Sequence, residues 1–68
     1  MALSARNHLP GTIEEITHDA ILCHVVVRVG DHLIESVITR RSADELGLTK
    51  GDRVTAVVKA TEVMIAKP

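Results

Sequence analysis

The stretch Ile21-Leu22-Cys23-His24-Val25-Val26-Val27-Arg28-Val29-Gly30-Asp31 determines the fold class of this 68-residue chain. All odd positions over 21–29 are apolar, whereas the even positions include His24 and Arg28. Side chains alternate between the two faces of a β-strand, so this period of two predicts a strand with one buried face. Gly30-Asp31 suits a two-residue hairpin turn, and a partner strand is predicted from His32 to about Thr39. The chain is therefore expected to be built on an antiparallel sheet.

A further strand is predicted upstream of this hairpin, over about residues 12–17. Pro10-Gly11 punctuates the chain before it, and the polar pair His18-Asp19 closes it. Its apolar residues Ile13 and Ile16 are three positions apart rather than two. This spacing predicts a bulge or bend of the kind that small barrels need for curvature.

Downstream of the hairpin, the sequence predicts one short helix and two strands. Ser42-Ala43-Asp44-Glu45 has the S-x-x-E form of a capping box, and Gly47 stands where a helix C-terminal glycine belongs, so a single helical turn is expected. Strands follow over 53–59 and about 63–66. The chain is thus predicted to be mainly β, a small five-stranded OB-like barrel with one short helix between strands 3 and 4, in a single domain over residues 1–68.

The composition predicts a thin core that needs support from other copies of the chain. A domain of 68 residues buries only about 60% of its unfolded surface. Cys23 is the only cysteine, so no disulfide forms within the chain, and no clustered Cys/His spacing indicates a structural zinc. The chain has no Phe, Trp or Tyr, although 46% of its residues are hydrophobic. Oligomerisation is the remaining way to bury more apolar surface.

Charge and hydropathy argue against several classes of partner. Eight basic and nine acidic residues give a net charge of −1, so no global field attracts nucleic acid. Residues 1–10 contain no apolar leader segment, and no run approaches the roughly 18 residues needed to cross a bilayer. Together with the unpaired cysteine, this predicts a cytoplasmic protein with no membrane association.

Hydroxyl and cationic side chains at the ends of the predicted elements suggest a local anion site. Ser4 and Arg6 alternate along an extended segment, so both can face one pocket. Thr39 and Ser42 bracket the approach to the short helix, and Lys59 ends a strand. Such donors can hold a tetrahedral oxyanion through charge-assisted hydrogen bonds. Each residue also fits a structural role, as a helix cap, a strand end or a solvated charge, so spacing alone leaves the site open.

The histidines, the cysteine and the paired glutamates fit a metal or catalytic site less well. The side chains considered for a metal are His8, His18, His24, His32 and Cys23. Cys23 and His24 are adjacent in a strand and face opposite sides, and no pair has the i, i+2 strand or i, i+4 helix spacing that brings ligands together. Glu14 and Glu15 are split across a strand in the same way. We therefore expect no metal site and no pair of carboxylates acting on one substrate, and we expect Cys23 to pack in the core.

Several motifs occur in order along the chain. They are Ser4-Ala5-Arg6-Asn7 followed by Leu9 and Gly11, Ile38-Thr39 with Ser42, Leu46-Gly47-Leu48, and Val58-Lys59-Ala60-Thr61-Glu62-Val63-Met64. Together they span nearly the whole chain and resemble the molbindins, the Mop-type molybdate-binding proteins, whose domain also occurs in molybdate-responsive regulators and transport ATPases. Asp19 departs from the family pattern, because relatives often have glycine before the second strand, and His18 beside it is not a family signature.

The resemblance implies an OB-like Mop domain that binds molybdate or tungstate in the cytoplasm, for storage or homeostasis, without catalysis. It also implies a homohexamer, a trimer of dimers, with the oxyanion at subunit interfaces. By matching position, one subunit supplies Ser4, Arg6 and Lys59 with backbone groups of Ala5, Asn7 and Ala60, and its neighbour supplies Thr39 and Ser42. The alternative is an OB-type module for assembly or for single-stranded nucleic acid. Nucleic-acid sites of that type stack bases on aromatic side chains, which this chain lacks.

Overall fold

One antiparallel sheet and one short helix make up the computed structural model, which describes residues 3–68. Residues 1–10 were predicted to contain no apolar leader, and the first two of them, Met1 and Ala2, lie outside the described residues. The elements are β1 (Asn7–His18), β2 (Leu22–Val29), β3 (His32–Thr39), α1 (Arg40–Leu46), β4 (Arg53–Val58) and a 3₁₀ turn (Ala60–Glu62). The strand order in the sheet is β3-β2-β1-β4. The mainly β prediction is confirmed.

The predicted hairpin of β2 and β3 is confirmed. Val29 pairs with His32 across the two-residue turn, and Gly30 takes a φ of +61°, which a glycine adopts without steric cost. Alternate residues of β2 are buried on the inner face, as the period of two predicts. Ile21 lies before the strand and is 75% exposed, so its inclusion in the strand was wrong.

The first strand is longer than predicted, because it runs through Pro10-Gly11 instead of beginning after it. Over Asn7–Gly11, β1 pairs only with β4, and its pairing with β2 begins at Thr12. Proline has no N–H to donate, and it is tolerated where a strand has a neighbour on one side only. The predicted bulge is confirmed by a register shift between Ile13 and Glu15.

Gly11 marks a close approach between β1 and the end of β2. A Cβ added at Gly11 would lie 2.3 Å from the carbonyl oxygen of Arg28 and 2.9 Å from a methyl carbon of Val27. Any side chain here would push the two strands apart, since the nearest atom belongs to the backbone. Glycine is therefore required at the point where β1, which pairs with β4 over its first half, comes against the end of β2.

The core is small and aliphatic. Ile13, Val25 and Val27 are at most 4% exposed, and the partly buried residues packed against them are Ile16, Val29, Ile38, Leu48 and Val54. A cavity of about 340 Å³ lies along this inner face, between β3 and β4. These two strands are the edges of the sheet, so the sheet is not closed into a barrel.

The predicted fifth strand over 63–66 is wrong in this structure. Residues 63–68 have no regular secondary structure, and Met64 and Ile65 are 93% and 89% exposed. An extended segment needs a neighbouring strand to pair with its backbone, and residues 63–66 pair with none of the described strands. The five-stranded barrel is therefore not confirmed.

Helix α1 begins three residues earlier than the predicted capping box implies. Its N-cap is Thr39, whose Oγ1 accepts the backbone N–H of Ser42 at 3.0 Å, so Ser42 is not the cap. The predicted C-cap is confirmed, because Gly47 takes a left-handed φ of 62°. With seven residues, α1 is the longer helical segment of residues 3–68 and is far too short to cross a membrane.

Candidate functional site

The N-terminal segment of the predicted site is joined to the end of β4. Asn7 pairs with Val58, and Asn7 Nδ2 donates a hydrogen bond to the Val58 carbonyl oxygen at 3.1 Å. Continuing this antiparallel register by one step places Arg6 beside Lys59. The structure thus joins the start of β1, which follows residues 4–6, to the end of β4, which precedes Lys59 and Ala60, although these segments are about fifty residues apart in the sequence.

The segment is also held from within. Ala5 is 9% exposed, and its carbonyl oxygen lies 2.8 Å from Nε2 of His8. A carbonyl oxygen only accepts hydrogen bonds, so His8 donates through Nε2. Ser4 and Arg6 on either side of Ala5 are exposed. Sequence reasoning assigned His8 only to a possible metal set, because a hydrogen bond that turns back three residues leaves no signal in strand periodicity.

The positive charges at this end of the sheet are unneutralised. Arg28 pairs with Glu14, Arg40 with Asp44, and Arg41 with Glu45. Within residues 3–68, neither Arg6 nor Lys59 takes part in an ion pair. A chain with a net charge of −1 therefore carries a candidate positive patch, made of two exposed cations next to the paired ends of β1 and β4.

The Arg28 and Glu14 pair supports the bulge of β1 and takes no part in this patch. Arg28 Nε and Nη2 donate to the two oxygens of Glu14 at 2.9 and 3.1 Å. These hydrogen bonds and the opposite charge lower the pKa of Glu14 and raise the pKa of Arg28. The two adjacent glutamates do not act together, because Glu14 is engaged with β2.

Thr39 and Ser42 form a second polar group at the junction of β3 and α1. Thr39 Oγ1 donates its hydrogen to Ser42 Oγ at 2.8 Å while accepting the Ser42 N–H. The Ser42 hydroxyl hydrogen is then free to point outward, and its donor strength is increased by the bond that its oxygen accepts. Arg40 anchors this junction by donating to the carbonyl oxygens of Ile21 at 2.7 Å and Asp19 at 3.1 Å.

The two polar groups lie at opposite ends of β1. Asn7 is the first residue of β1, and His18 is the last. His18 pairs with Cys23 of β2, and the neighbouring Leu22 pairs with Thr39. Thr39 therefore lies at the His18 end of β1. Twelve residues of strand correspond to about 35 Å of chain. The structure therefore does not bring Thr39 and Ser42 of one chain to its own Arg6 and Lys59.

A cysteine and a histidine meet across β1 and β2. Nδ1 of His18 lies 3.0 Å from Sγ of Cys23, and Cys23 is 1% exposed, which confirms its predicted packing in the core. This contact was not predicted, because the spacing of ligands within one strand or helix does not report pairs that meet across two strands. No group of three or more His, Cys, Asp or Glu side chains in residues 3–68 is arranged to hold a metal ion.

Residues 3–65 match the sequence profile of the TOBE domain. The chain belongs to the TOBE domain family. It is 41% identical over 66 residues to molybdenum-pterin-binding protein 1 of Clostridium pasteurianum, covering 96% of this chain and 97% of that protein. The predicted resemblance to the molbindins is confirmed by this match.

Solved structures agree with the sequence match of this TOBE domain. A molybdate-binding protein from Sporomusa ovata superposes with a TM-score of 0.93 at 37% identity, covering 98% of this chain and all of that one. The cytoplasmic molybdate-binding protein ModG, in a form with molybdate bound, superposes with a TM-score of 0.83 at 38% identity. That match covers 88% of this chain and 43% of ModG. These relatives are named as binding proteins.

Proposed function

We propose that this TOBE domain binds molybdate, or the similar oxyanion tungstate, at sites shared between copies of the chain, for storage or homeostasis in the cytoplasm. The observation that carries the proposal is the pairing of Asn7 with Val58, because their chain neighbours Arg6 and Lys59 are both exposed and neither is in an ion pair within residues 3–68. Two neighbouring cations repel each other, and a dianion between them relieves that repulsion. The names of the relatives support molybdate as the dianion.

The first half of the proposed site consists of Arg6, Lys59 and Ser4 with the backbone N–H groups of Ala5, Asn7 and Ala60. The planar guanidinium of Arg6 can donate to two oxygens of one anion, and Lys59 adds a compact charge. Asn7 takes part through its backbone only, since its side chain is bound to Val58. Each charge-assisted hydrogen bond contributes about 1.5–3 kcal/mol, so a few of them suffice for tight binding.

The second half consists of Thr39 and Ser42 of a neighbouring copy. Their position at the far end of β1 supports a shared site over one formed within a single chain. Because Thr39 already donates to Ser42, we assign the contact with the anion to the Ser42 hydroxyl. Thr39 then serves to orient that hydroxyl.

Association of copies is supported by the exposed apolar surface. Val37 is 64% exposed, Ile21 75% and Ile65 89%, and the core is small. Exposed apolar residues on so small a chain favour contacts with a partner. A homohexamer built as a trimer of dimers, as the resemblance implies, would bury them and would form the shared sites.

A binding role without catalysis is supported by the relatives, which are named as binding proteins, and the cytoplasm is supported by the name of ModG. The alternative, an OB-type module for assembly or for single-stranded nucleic acid, is not favoured. The chain has no aromatic side chain on which a base could stack, and its relatives are named for molybdenum or molybdate.

Isothermal titration calorimetry with molybdate, tungstate and sulfate tests the proposal. We expect molybdate and tungstate to bind and sulfate to bind much more weakly. Arg6→Ala and Lys59→Ala should each weaken molybdate binding by about 1.5–3 kcal/mol. Lys50→Ala is the matched control, because Lys50 lies in the turn before the opposite end of β4. Absence of heat with molybdate, or equal affinity for sulfate, would refute the proposal.

A further inference from the structure

We propose that His8 is a positioning residue of this site, holding the peptide unit between Ala5 and Arg6 in the orientation that oxyanion binding requires. This inference rests on the proposed function, because it concerns the same N-terminal segment. His8 donates to the Ala5 carbonyl oxygen from 2.8 Å. Neither the resemblance nor the names of the relatives assign it a role.

The low exposure of Ala5 favours this hydrogen bond. Ala5 is 9% exposed, so water has little access to its backbone. A buried carbonyl group without a partner is strongly unfavourable, and folded proteins pair nearly all such groups. The imidazole of His8 supplies that partner from the same segment, at the start of β1.

Planarity of the peptide bond extends the effect from the carbonyl group to the Arg6 N–H, a backbone donor additional to those of Ala5, Asn7 and Ala60. The described chain has no cis peptide bonds, so the C=O of Ala5 and the N–H of Arg6 point in opposite directions within one rigid plane. Holding the Ala5 carbonyl oxygen toward His8 therefore directs the Arg6 N–H away from it. It also keeps that oxygen from turning toward a dianion, which it would repel.

His8 and Asn7 tie the segment from two sides. Successive side chains of a strand face opposite ways, and Asn7 is bound to Val58 of β4 while His8 is bound to Ala5. The side chains of Ser4 and Arg6 remain exposed beyond these two ties. Without His8, the anion would have to order the segment as it binds, and fixing a backbone residue costs free energy.

The experiment is calorimetric titration of molybdate into the unaltered chain and its His8 variants. His8→Ala should weaken binding about tenfold, which corresponds to about 1.4 kcal/mol. His8→Gln should bind nearly as well as the unaltered chain, because its amide nitrogen can donate from a position close to Nε2. His24→Ala is the matched control, since His24 is another exposed histidine and is bound to Glu35 on β3. Its affinity should not change.

Two comparisons keep the inference falsifiable. If His8→Ala does not fold, His8→Gln is compared with His8→Asn, whose shorter amide does not reach the Ala5 carbonyl oxygen; only His8→Asn should bind weakly. Long-range ¹H–¹⁵N NMR of the ligand-free protein should show that neutral His8 carries its hydrogen on Nε2.

Several results would overturn the inference. They are a His8→Ala variant that binds as tightly as the unaltered chain, a His8→Gln variant as weak as His8→Ala, or a hydrogen on Nδ1 in the neutral ring. Each of these leaves molybdate binding by the unaltered chain intact. If the unaltered chain shows no molybdate binding, the proposed function fails, and this inference fails with it.

Discussion

Mixing two variants that each lack a different residue of the proposed site should restore molybdate sites that neither variant forms alone. One chain carries Arg6→Ala and the other carries Ser42→Ala. These positions lie at opposite ends of β1, separated by about 35 Å of strand. Under the proposed function, every site takes its arginine from one copy and its serine from another.

The expected magnitude follows from this division. Each substitution removes a charge-assisted hydrogen bond of about 1.5–3 kcal/mol, which weakens binding by about 10- to 150-fold. In a random equimolar assembly, about one quarter of the interfaces join the arginine of the Ser42→Ala chain to the serine of the Arg6→Ala chain. Sites at those interfaces contain both Arg6 and Ser42, so they should bind molybdate as the unaltered chain does.

The assay is refolding of the two chains together, followed by calorimetric titration at a protein concentration between the two affinities. Each variant refolded alone is the negative control, and the unaltered chain refolded in the same way sets the full stoichiometry. Tight binding at about a quarter of that stoichiometry is expected. If the mixture binds no better than either variant alone, Arg6 and Ser42 of one site belong to the same copy, and the shared site is refuted.

Three further predictions concern stability and the Thr39–Ser42 group. Gly11→Ala should lower the free energy of unfolding in urea by about 2–3 kcal/mol, because its Cβ would lie 2.3 Å from the Arg28 carbonyl oxygen; a near-neutral effect would contradict the close approach. Thr39→Val should lower the free energy of unfolding by about 1 kcal/mol and weaken molybdate binding, because Thr39 supplies the oxygen that caps α1. Ser42→Ala should weaken molybdate binding with little loss of stability. Equal stability of the two variants would contradict this assignment. Because Arg28 lowers the pKa of Glu14, their stabilisation should be complete above about pH 5 and lost as the pH falls through the lowered pKa; thermal unfolding from pH 7 to pH 3 should show this component in the unaltered chain and not in Glu14→Gln.

The central hairpin could be predicted because its signals are local. Alternation in β2, the Gly30 turn and the left-handed cap at Gly47 depend on residues close together in the sequence. Val26 shows the limit of this reasoning, since it is 8% exposed although it faces away from the core residues Val25 and Val27. The burial of this second face of β2 cannot be derived from alternation alone.

The errors in the fold arose where a tertiary neighbour decides the local structure. Pro10 was expected to precede a strand, but the edge position of β1 there tolerates it. Ser42 was expected to cap the helix, but Thr39 offers a hydroxyl one turn earlier, where β3 runs directly into α1. Residues 63–66 have the composition of a strand but pair with none of the strands described in residues 3–68.

The residue types of the candidate site remain a prediction, and the structure shows part of the geometry that would bring them together. Hydroxyl and cationic side chains at element ends indicated an anion, and the pairing of Asn7 with Val58 brings two of the groups together. That register depends on long-range pairing, which spacing does not report. The hydrogen bond from His8 to the Ala5 carbonyl oxygen was missed for the same reason, because it depends on where the backbone turns back on itself.

The burial of Cys23 gives the chain an internal reporter of its own opening. The thiol is 1% exposed and lies against His18, at the end of the paired region of β1 and β2. A bulky alkylating reagent can reach it only when these strands separate, so the labelling rate measures the free energy of that opening. With no tryptophan or tyrosine to provide fluorescence, this single thiol reports local stability without any added probe. Comparing the rate with and without molybdate would reveal whether the ligand slows opening far from Arg6 and Lys59.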